Sequence, residues 1–378
     1  MIILLMMVGI IIFTGFIMGL TPKFVRKNIQ FGVMLPEEAG ELDVIKKWKK
    51  QYLYWNLALS VVITFPLLIG LFMNKSEYEL ARYLEIAGIA SIFVFIVLSG
   101  VLYLIFYNKA KNLKIQKYSA TTVEEKARVM VSTKFRDERV IISNVPFGLV
   151  GMIIILITSF APIVFRSQLG EYVPIHWNST GSVTRLVPAT VGIFVFLPMM
   201  QLFMLGLFMF VNYTFSATKQ LISPKNATKS LEQNRRYRLA MSKMMVFAGL
   251  GSMLLLAMPQ FMMIFDVISG TFFMWIGILF AIIIVAAILY VAIKYGQGGE
   301  RYNPPIASDD TDYKVVDDDK FWKWGMFYVN PNDPAIFVEK RFGVGTTVNF
   351  ARWQAWAFVV GMIILPVAIV IISLSLVR

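Results

Sequence analysis

The chain has one histidine in 378 residues. His176 stands in PIHWNSTGSVTR, Pro174 to Arg185, between two long apolar runs. An imidazole with a pKa near ~6.5 can serve as a base, a metal ligand, a pH-sensitive donor or a hydrogen-bonder inside a turn. The first two roles need company, because a base needs a nucleophile and a metal needs further ligands. There is no cysteine, and no H-E-x-x-H, G-x-S-x-G or G-x-x-x-x-G-K-[ST], so the usual partners of a catalytic or metal-bound imidazole are missing. We therefore expect no enzyme, cofactor or metal site. The neighbouring residues suit a shaped turn instead: Pro174 fixes φ, Asn178 can hydrogen-bond local backbone, Gly181 can turn left-handed, and Trp177 can anchor at lipid headgroups. His176 is then expected either to hold that turn or to contact a peptide or lipid.

Ionisable groups inside the apolar runs would mark a proton or ion relay, and almost none occur. That weakens coupled transport and two-aspartate intramembrane proteolysis. Two amides in these runs follow prolines, Gln201 after Pro198 and Gln260 just after Pro259. Two proline-interrupted helices could aim these amides at each other or at a ligand. Alternatively, Pro259, Gln260 and Asp266 form a fraying helix end at the headgroups. Methionines cluster in the same two runs, Met199, Met200, Met204 and Met209 in one, Met253, Met258, Met262 and Met263 in the other. They serve as core filler or as an adaptable surface for a hydrophobic peptide or lipid.

The elements that must position these residues follow from composition. The chain is 57% apolar and 16% charged, against about 45–50% and about 25% in soluble domains. A bilayer core of about 30 Å takes about 20 helical residues. Eight runs qualify, near 2–20, 52–73, 84–107, 145–165, 186–211, 244–265, 271–293 and 353–377, all without Lys or Arg. The expected fold is an all-α polytopic membrane protein with about eight transmembrane helices. The first run lacks a basic start and an A-x-A-like cleavage site, so it is expected to be retained as a helix.

Loop charge supplies the orientation. Thirty-one of the 36 basic residues fall in alternate connections, 21–51, 108–144, 212–243 and 294–352, and five fall elsewhere. By the positive-inside rule those four connections are cytoplasmic, both termini are outside, and so is the loop 166–185 that carries His176. The net charge of +13 is thus a topological signal that also attracts anionic lipid, rather than a nucleic-acid footprint.

The expected organisation is a seven-helix membrane region over 1–293, a cytoplasmic tether and small aromatic-rich domain over 294–352, and a final helix over 353–378. In the first inner connection, Leu42, Ile45, Trp48 and Tyr52 share a helical face, as an interfacial helix or as plain flanking sequence. In the second, Thr122 and Glu125 have capping-box spacing before the stripe Val123, Ala127, Met130, Val131 and Phe135, which predicts a helix. The third opens with GQGGERYNPP and DDTDYKVVDDD, a composition that predicts a mobile tether. It continues into DKFWKWGMFYVNPNDPAIFVEKRFGVGTTVNFARW, where β segments are expected over 321–329 and 336–341 around the turn NPNDP. Too small to fold securely alone, this piece is expected to dock on the inner helix ends or the membrane interface. Phe-Gly-Val or Phe-Gly-Leu recurs in NIQFGVMLP, SNVPFGLVG and RFGVGTTVN, too little to show a duplication.

Pro174, His176, Trp177, Asn178, Gly181 and Arg185 together resemble the pattern Pro-x-His-aromatic-Asn-x-x-Gly-x-x-x-Arg of the SdpI-like bacterial membrane proteins. FGVMLPEE, with Phe31, Gly32, Val33 and Pro36, looks like the same broader group. The segment Asp319 to Arg352, with Trp322, Gly325, Tyr328, Asn330, Asp333, Arg341 and Gly343, resembles an uncharacterised domain attached to such proteins. The resemblance implies a multi-pass protein of the bacterial cytoplasmic membrane that gives immunity to a secreted hydrophobic peptide and, when engaged, retains a cytosolic transcriptional regulator, with the second group of residues as the inner docking segment. The alternatives are a transporter or flippase-like carrier of an amphipathic molecule and a membrane enzyme acting on lipid-linked precursors.

Overall fold

A computed structural model of the chain describes residues 2–72, 77–118, 140–177, 181–223, 226–265, 269–306 and 317–375. The helices are α1 (Ile2–Phe24), α2 (Asp43–Ile63), α3 (Phe65–Ile69), α4 (Glu77–Tyr118), α5 (Asn144–Val164), α6 (Val191–Ala217), α7 (Ala227–Ile264), α8 (Gly270–Lys294) and α9 (Trp353–Ser375). With α2 and α3 forming one apolar stretch, eight candidate spans result among the described residues. The protein is a mostly helical, multi-pass membrane protein. Large apolar side chains such as Ile89, Val97, Ile163 and Ile363 point outward from the spans, where lipid rather than water is their partner.

Several helices overrun their apolar runs. α2, α4 and α7 continue at their basic ends because one face there is still buried against protein: Ile45 and Tyr52 of α2, Ala110 of α4 and Tyr237 of α7 are buried, which places the expected amphipathic face of α2 on the bundle. At the other end the fifth run is shorter than its hydropathy suggests. Residues 186–188 belong to a strand, and α6 starts only at Val191. The β-branched Val187 pairs with Val173, and Pro188, which cannot donate an amide proton, closes the strand. The helix expected around 122–135 lies outside the described residues.

Between lipid-bathed helices association rests on close packing rather than hydrophobic drive. α1 presents Gly15 and Gly19 to α2; a Cβ at Gly19 would stand 2.8 Å from the Cα of Leu53, and one at Gly15 would stand 2.9 Å from the Asn56 carbonyl. α5, α6 and α7 form a second packed group, with α8 on α7 and α9 on α6.

Among the described residues, four two-stranded antiparallel ladders decorate the ends: β1 (Ile29–Gln30) with β2 (Val33–Met34), β3 (Tyr172–Trp177) with β4 (Val183–Pro188), β5 (Trp322–Lys323) with β6 (Phe327–Tyr328), and β7 (Phe337–Glu339) with β8 (Thr346–Val348). The segment expected over 321–329 is thus a hairpin in itself, and that over 336–341 pairs with residues after Gly345. The ladders at 29–34 and 172–188 were not anticipated.

The glycine-rich opening of the third connection is not a free tether. Gln297, Gly298 and Gly299 are buried; the Gln297 amide donates to the Gly345 carbonyl (2.8 Å) and accepts from the Gly345 amide (2.7 Å). Fixing this turn lets the following chain return onto the bundle. The acidic stretch 307–316 lies outside the described residues.

Candidate functional site

At the end away from the basic loops, β3 and β4 make a hairpin rather than an irregular turn. Pro174 opposes Leu186 and His176 opposes Arg185, with register shifts on both sides of His176. Pro174 has no N–H for a regular ladder, and a bulge beside it re-aims the next side chain. His176 is exposed, and its Nδ1 meets the Thr184 hydroxyl across the hairpin. Arg185 is exposed too. Trp177 lies over Gly270 at the start of α8, where a Cβ would come within 2.9 Å of the indole. Gly181 adopts φ +83°, and a Cβ there would stand 2.6 Å from the Thr271 amide nitrogen. Gly181 thus provides both the left-handed backbone and the close approach that seat the hairpin tip. Asn178 lies outside the described residues.

Beneath the hairpin, α5, α6 and α7 bury Thr158, Gln201 and Gln260, all inaccessible to solvent. Each of these helices contains a proline, Pro162, Pro198 and Pro259. A proline withholds the amide proton due to the carbonyl four residues earlier, here Thr158 for Pro162 and Phe194 for Pro198. The Gln260 Nε2 donates to both of those carbonyls, at 3.2 Å each. The Gln201 Nε2 donates to the Met253 carbonyl (2.9 Å) and reaches the Thr158 hydroxyl (3.3 Å). Gln260 is therefore an interior link between three helices and no part of a frayed end. The Oε1 atoms of Gln201 and Gln260 are buried and accept no hydrogen bond among the described residues. The methionines beside them fill space: Met253 is fully buried, and Met204 and Met209 pack on Phe147, Ile155 and Leu205.

The inner-segment residues converge at the basic end. Phe31 and Trp324, at φ +49° and +52°, and Gly32 and Gly325, at +81° and +67°, form the tips of two hairpins that meet back to back. A Cβ on Gly32 would lie 2.8 Å from the Gly325 Cα and 2.3 Å from the Tyr103 hydroxyl, so only glycine fits on both sides. That hydroxyl reaches the Phe31 carbonyl (3.3 Å) and the Trp324 carbonyl (3.0 Å). Phe31, Val33, Tyr52, Tyr103 and Phe106 form the core beneath. Phe342 packs there too, 4.2 Å between centroids from Tyr103, so two of the three Phe-Gly repeats share one cluster. Pro36 opens a 3-10 turn at the edge. Gly343 follows at φ +88°.

Charge fastens this junction. Arg341 pairs with Asp318 and Asp319 and donates to the Gly32 carbonyl (3.1 Å); Lys114 of α4 joins Asp319. Burial alone would raise the Asp319 pKa, yet Arg341 and Lys114 hold it below its ordinary value. Arg26, at the end of α1, binds Glu339 (2.7 Å), Glu300 (2.8 Å) and the Leu221 carbonyl (3.0 Å). Burial opposes its charge, but Glu339 and Glu300 outweigh that and raise its pKa. The other Glu339 oxygen accepts from Asn234 of α7 (2.9 Å). Asn234 in turn accepts from Arg238 (2.6 Å), whose guanidinium caps the Phe215 and Thr218 carbonyls at the end of α6.

Tyr328, Asn330 and Asp333 build the NPNDP turn. The Tyr328 hydroxyl donates to Asp333 (2.8 Å) and accepts from the Asn330 side chain (3.1 Å), while the Asn349 amide donates to the carbonyls of residues 330, 333 and 335. Trp322, Tyr328, Asn330, Asp333 and Arg341 are all buried, so this set holds the chain to itself and does not present those side chains to a partner. Sequence reading passed over Arg26, Asn234, Glu300, Glu339 and Asn349, the residues that tie the segment down. Among them Glu339 carries the local signal, as the acidic last residue of the otherwise apolar strand β7.

Two family models match parts of the chain. A domain of unknown function (DUF1648) matches residues 153–202, which contain Thr158, Pro162, the hairpin, Pro198 and Gln201. A family of unknown function (DUF5808) matches residues 331–356, from the NPNDP turn into α9. No curated protein matches the chain. No solved structure matches it either.

Proposed function

We propose that this protein is a non-enzymatic, SdpI-like immunity and signal-transducing protein of the bacterial cytoplasmic membrane. In this reading the hairpin at 172–188 recognises a secreted hydrophobic peptide outside, and the small domain at 317–352 reports the engagement to a cytosolic regulator. The observation that carries the reading is the path of α7. Its outer end packs against β3, its outer half holds Gln260 between α5 and α6, and its inner half offers Asn234 to Glu339 of the small domain. One continuous helix thus touches both proposed working parts, and a packed helix moves as a unit. The burial of the inner segment shapes the proposal: the regulator would meet the outer surface of a domain already docked, with the docked state as the signal.

The test is protection. Cells lacking the protein and complemented with wild type or His176→Ala are challenged with secreted hydrophobic peptides at matched expression. Loss of protection in the variant is expected; full protection would remove the hairpin from recognition. A second reading, a carrier of an amphipathic molecule, is favoured by one observation, the buried Gln201 and Gln260 oxygens that accept no hydrogen bond among the described residues, between three proline-containing helices. Uptake or efflux of a fluorescent lipid analogue by proteoliposomes, abolished by Gln201→Leu, would select that reading instead.

A further inference from the structure

A cavity lies at the basic end, lined by Gly32 from one hairpin tip and Trp324 from the other. It is about 840 Å³ in volume and opens between α4, the hairpin β5–β6 and the first turns of α9. Its walls combine two chemistries. Lys111, Lys320 and Lys323 supply exposed ammonium groups, and none of them makes an ion pair among the described residues. Trp324, Phe327 and Trp356 supply aromatic surface, with both indoles more than half exposed, at 59% and 54%. The acid in the wall, Asp319, pairs with Arg341 and Lys114, which also serve Asp318 and Asp317, so this cluster leaves one negative charge against the three lysines.

The level of this cavity in the fold identifies what fills it. α4 leaves its apolar run at Tyr107 and continues through Asn108 and Lys111, and α9 begins its candidate span at Trp353. The cavity therefore sits where two spans emerge from hydrocarbon, the depth at which tryptophan and lysine meet lipid headgroups. A soluble anion needs no aromatic wall there, and a zwitterionic headgroup brings its own cation against three lysines. We propose that this cavity seats the phosphodiester headgroup of an anionic membrane lipid, held by Lys111, Lys320 and Lys323 and shelved on Trp324, Phe327 and Trp356. The inference is independent of the immunity reading. It has a structural consequence: the lipid would bridge α4, the small domain and α9 across the junction built by Gly32 and Gly325.

The experiment uses the full chain reconstituted in vesicles of equal phosphatidylglycerol and phosphatidylcholine, extracted gently, with retained lipid read by native mass spectrometry. Wild type is expected to retain phosphatidylglycerol in preference to phosphatidylcholine by on the order of tenfold, since each lysine near anionic lipid contributes about a fivefold preference before screening. Lys111→Gln/Lys320→Gln/Lys323→Gln is expected to fall to near parity. Lys47→Gln/Lys50→Gln/Lys117→Gln, which removes the same charge elsewhere on the basic end, is expected to keep the preference. Parity in wild type overturns the proposal, and so does equal loss in both triple variants, which would make the effect one of general surface charge. Complete displacement of the retained lipid by millimolar inorganic phosphate also overturns it, because a free anion would then satisfy the lysines.

Discussion

Gln260→Leu isolates the polar core under the hairpin at 172–188. The side chain is fully buried, and its Nε2 is the donor to two carbonyls, Thr158 and Phe194, that Pro162 and Pro198 leave without an amide partner. Leucine keeps the bulk and strips both acceptors. A bare buried acceptor costs about 1–3 kcal/mol in a protein interior, but hydrogen bonds between transmembrane helices average about 0.6 kcal/mol because the unfolded chain in lipid finds other partners. Both bonds are 3.2 Å long, toward the weak end of the range. Removal of the Gln260 Oε1, itself unpartnered, offsets part of the loss. The expected destabilisation is therefore about 1–2 kcal/mol, read as a shift in the denaturant midpoint of the purified protein in micelles followed by tryptophan fluorescence. The same substitution in a Pro162→Ala background is the decisive arm. Residue 162 then regains an N–H for the Thr158 carbonyl, and Gln260→Leu should cost about half as much. Identical costs in the two backgrounds would refute the claim that Gln260 substitutes for the missing proline amides.

At the basic end, Gly32→Ala must part the two hairpin tips, because its Cβ would lie 2.3 Å from the Tyr103 hydroxyl. It should cost about 2–4 kcal/mol, seen as faster proteolysis within 317–352; Tyr103→Phe should recover only part, since the Gly325 backbone remains in the way, and full recovery would contradict that geometry. Glu339→Gln leaves Arg26 with Glu300 alone and should destabilise by about 2–3 kcal/mol, whereas Glu339→Gln with Arg26→Met should cost less than the sum, a non-additivity that a double-mutant cycle measures. Acid should release the small domain. Because the folded Asp319 pKa is lowered, its contribution is complete above the ordinary value of 3.8 and is lost as pH falls below it through the folded value. Amide exchange at 317–323 should accordingly be flat from pH 7 to about 5, after correction for intrinsic rates, and rise only in stronger acid. Loss of protection near neutrality would show that some other group controls docking.

Hydrophobic run length and the asymmetry of Lys and Arg made eight spans legible, because both signals are additive along the chain and need no tertiary information. The helix ends were less so. Hydropathy carried the fifth run back to Leu186, but Leu186, Val187 and Pro188 pair across a hairpin, and an apolar stretch reads the same in a strand and in a helix. The docking of the aromatic segment was foreseen from its size, while its fastening was not: Arg26 and Glu339 are 313 positions apart, and no local pattern announces a contact at that separation. The two readings of Gln260 stayed open in the sequence for a similar reason. Its neighbour Pro259 suggested a broken end, whereas the prolines that matter to it, Pro162 and Pro198, lie on other helices. His176 is the one histidine of the chain, and its partner across the hairpin, Thr184, is the ordinary outcome of a short cross-strand pair.

The central claim, that α7 joins the hairpin at 172–188 to the small domain at 317–352, can be tested without a ligand by lifting the hairpin off its seat. In Gly181→Val a Cβ would stand 2.6 Å from the Thr271 amide nitrogen, and valine is disfavoured at positive φ. Hydrogen exchange of the full chain in nanodiscs is the measurement. Faster exchange at residues 172–188, accompanied by faster exchange at 336–349, is the result the coupling predicts. Loosening of the hairpin with the inner amides unchanged would contradict it.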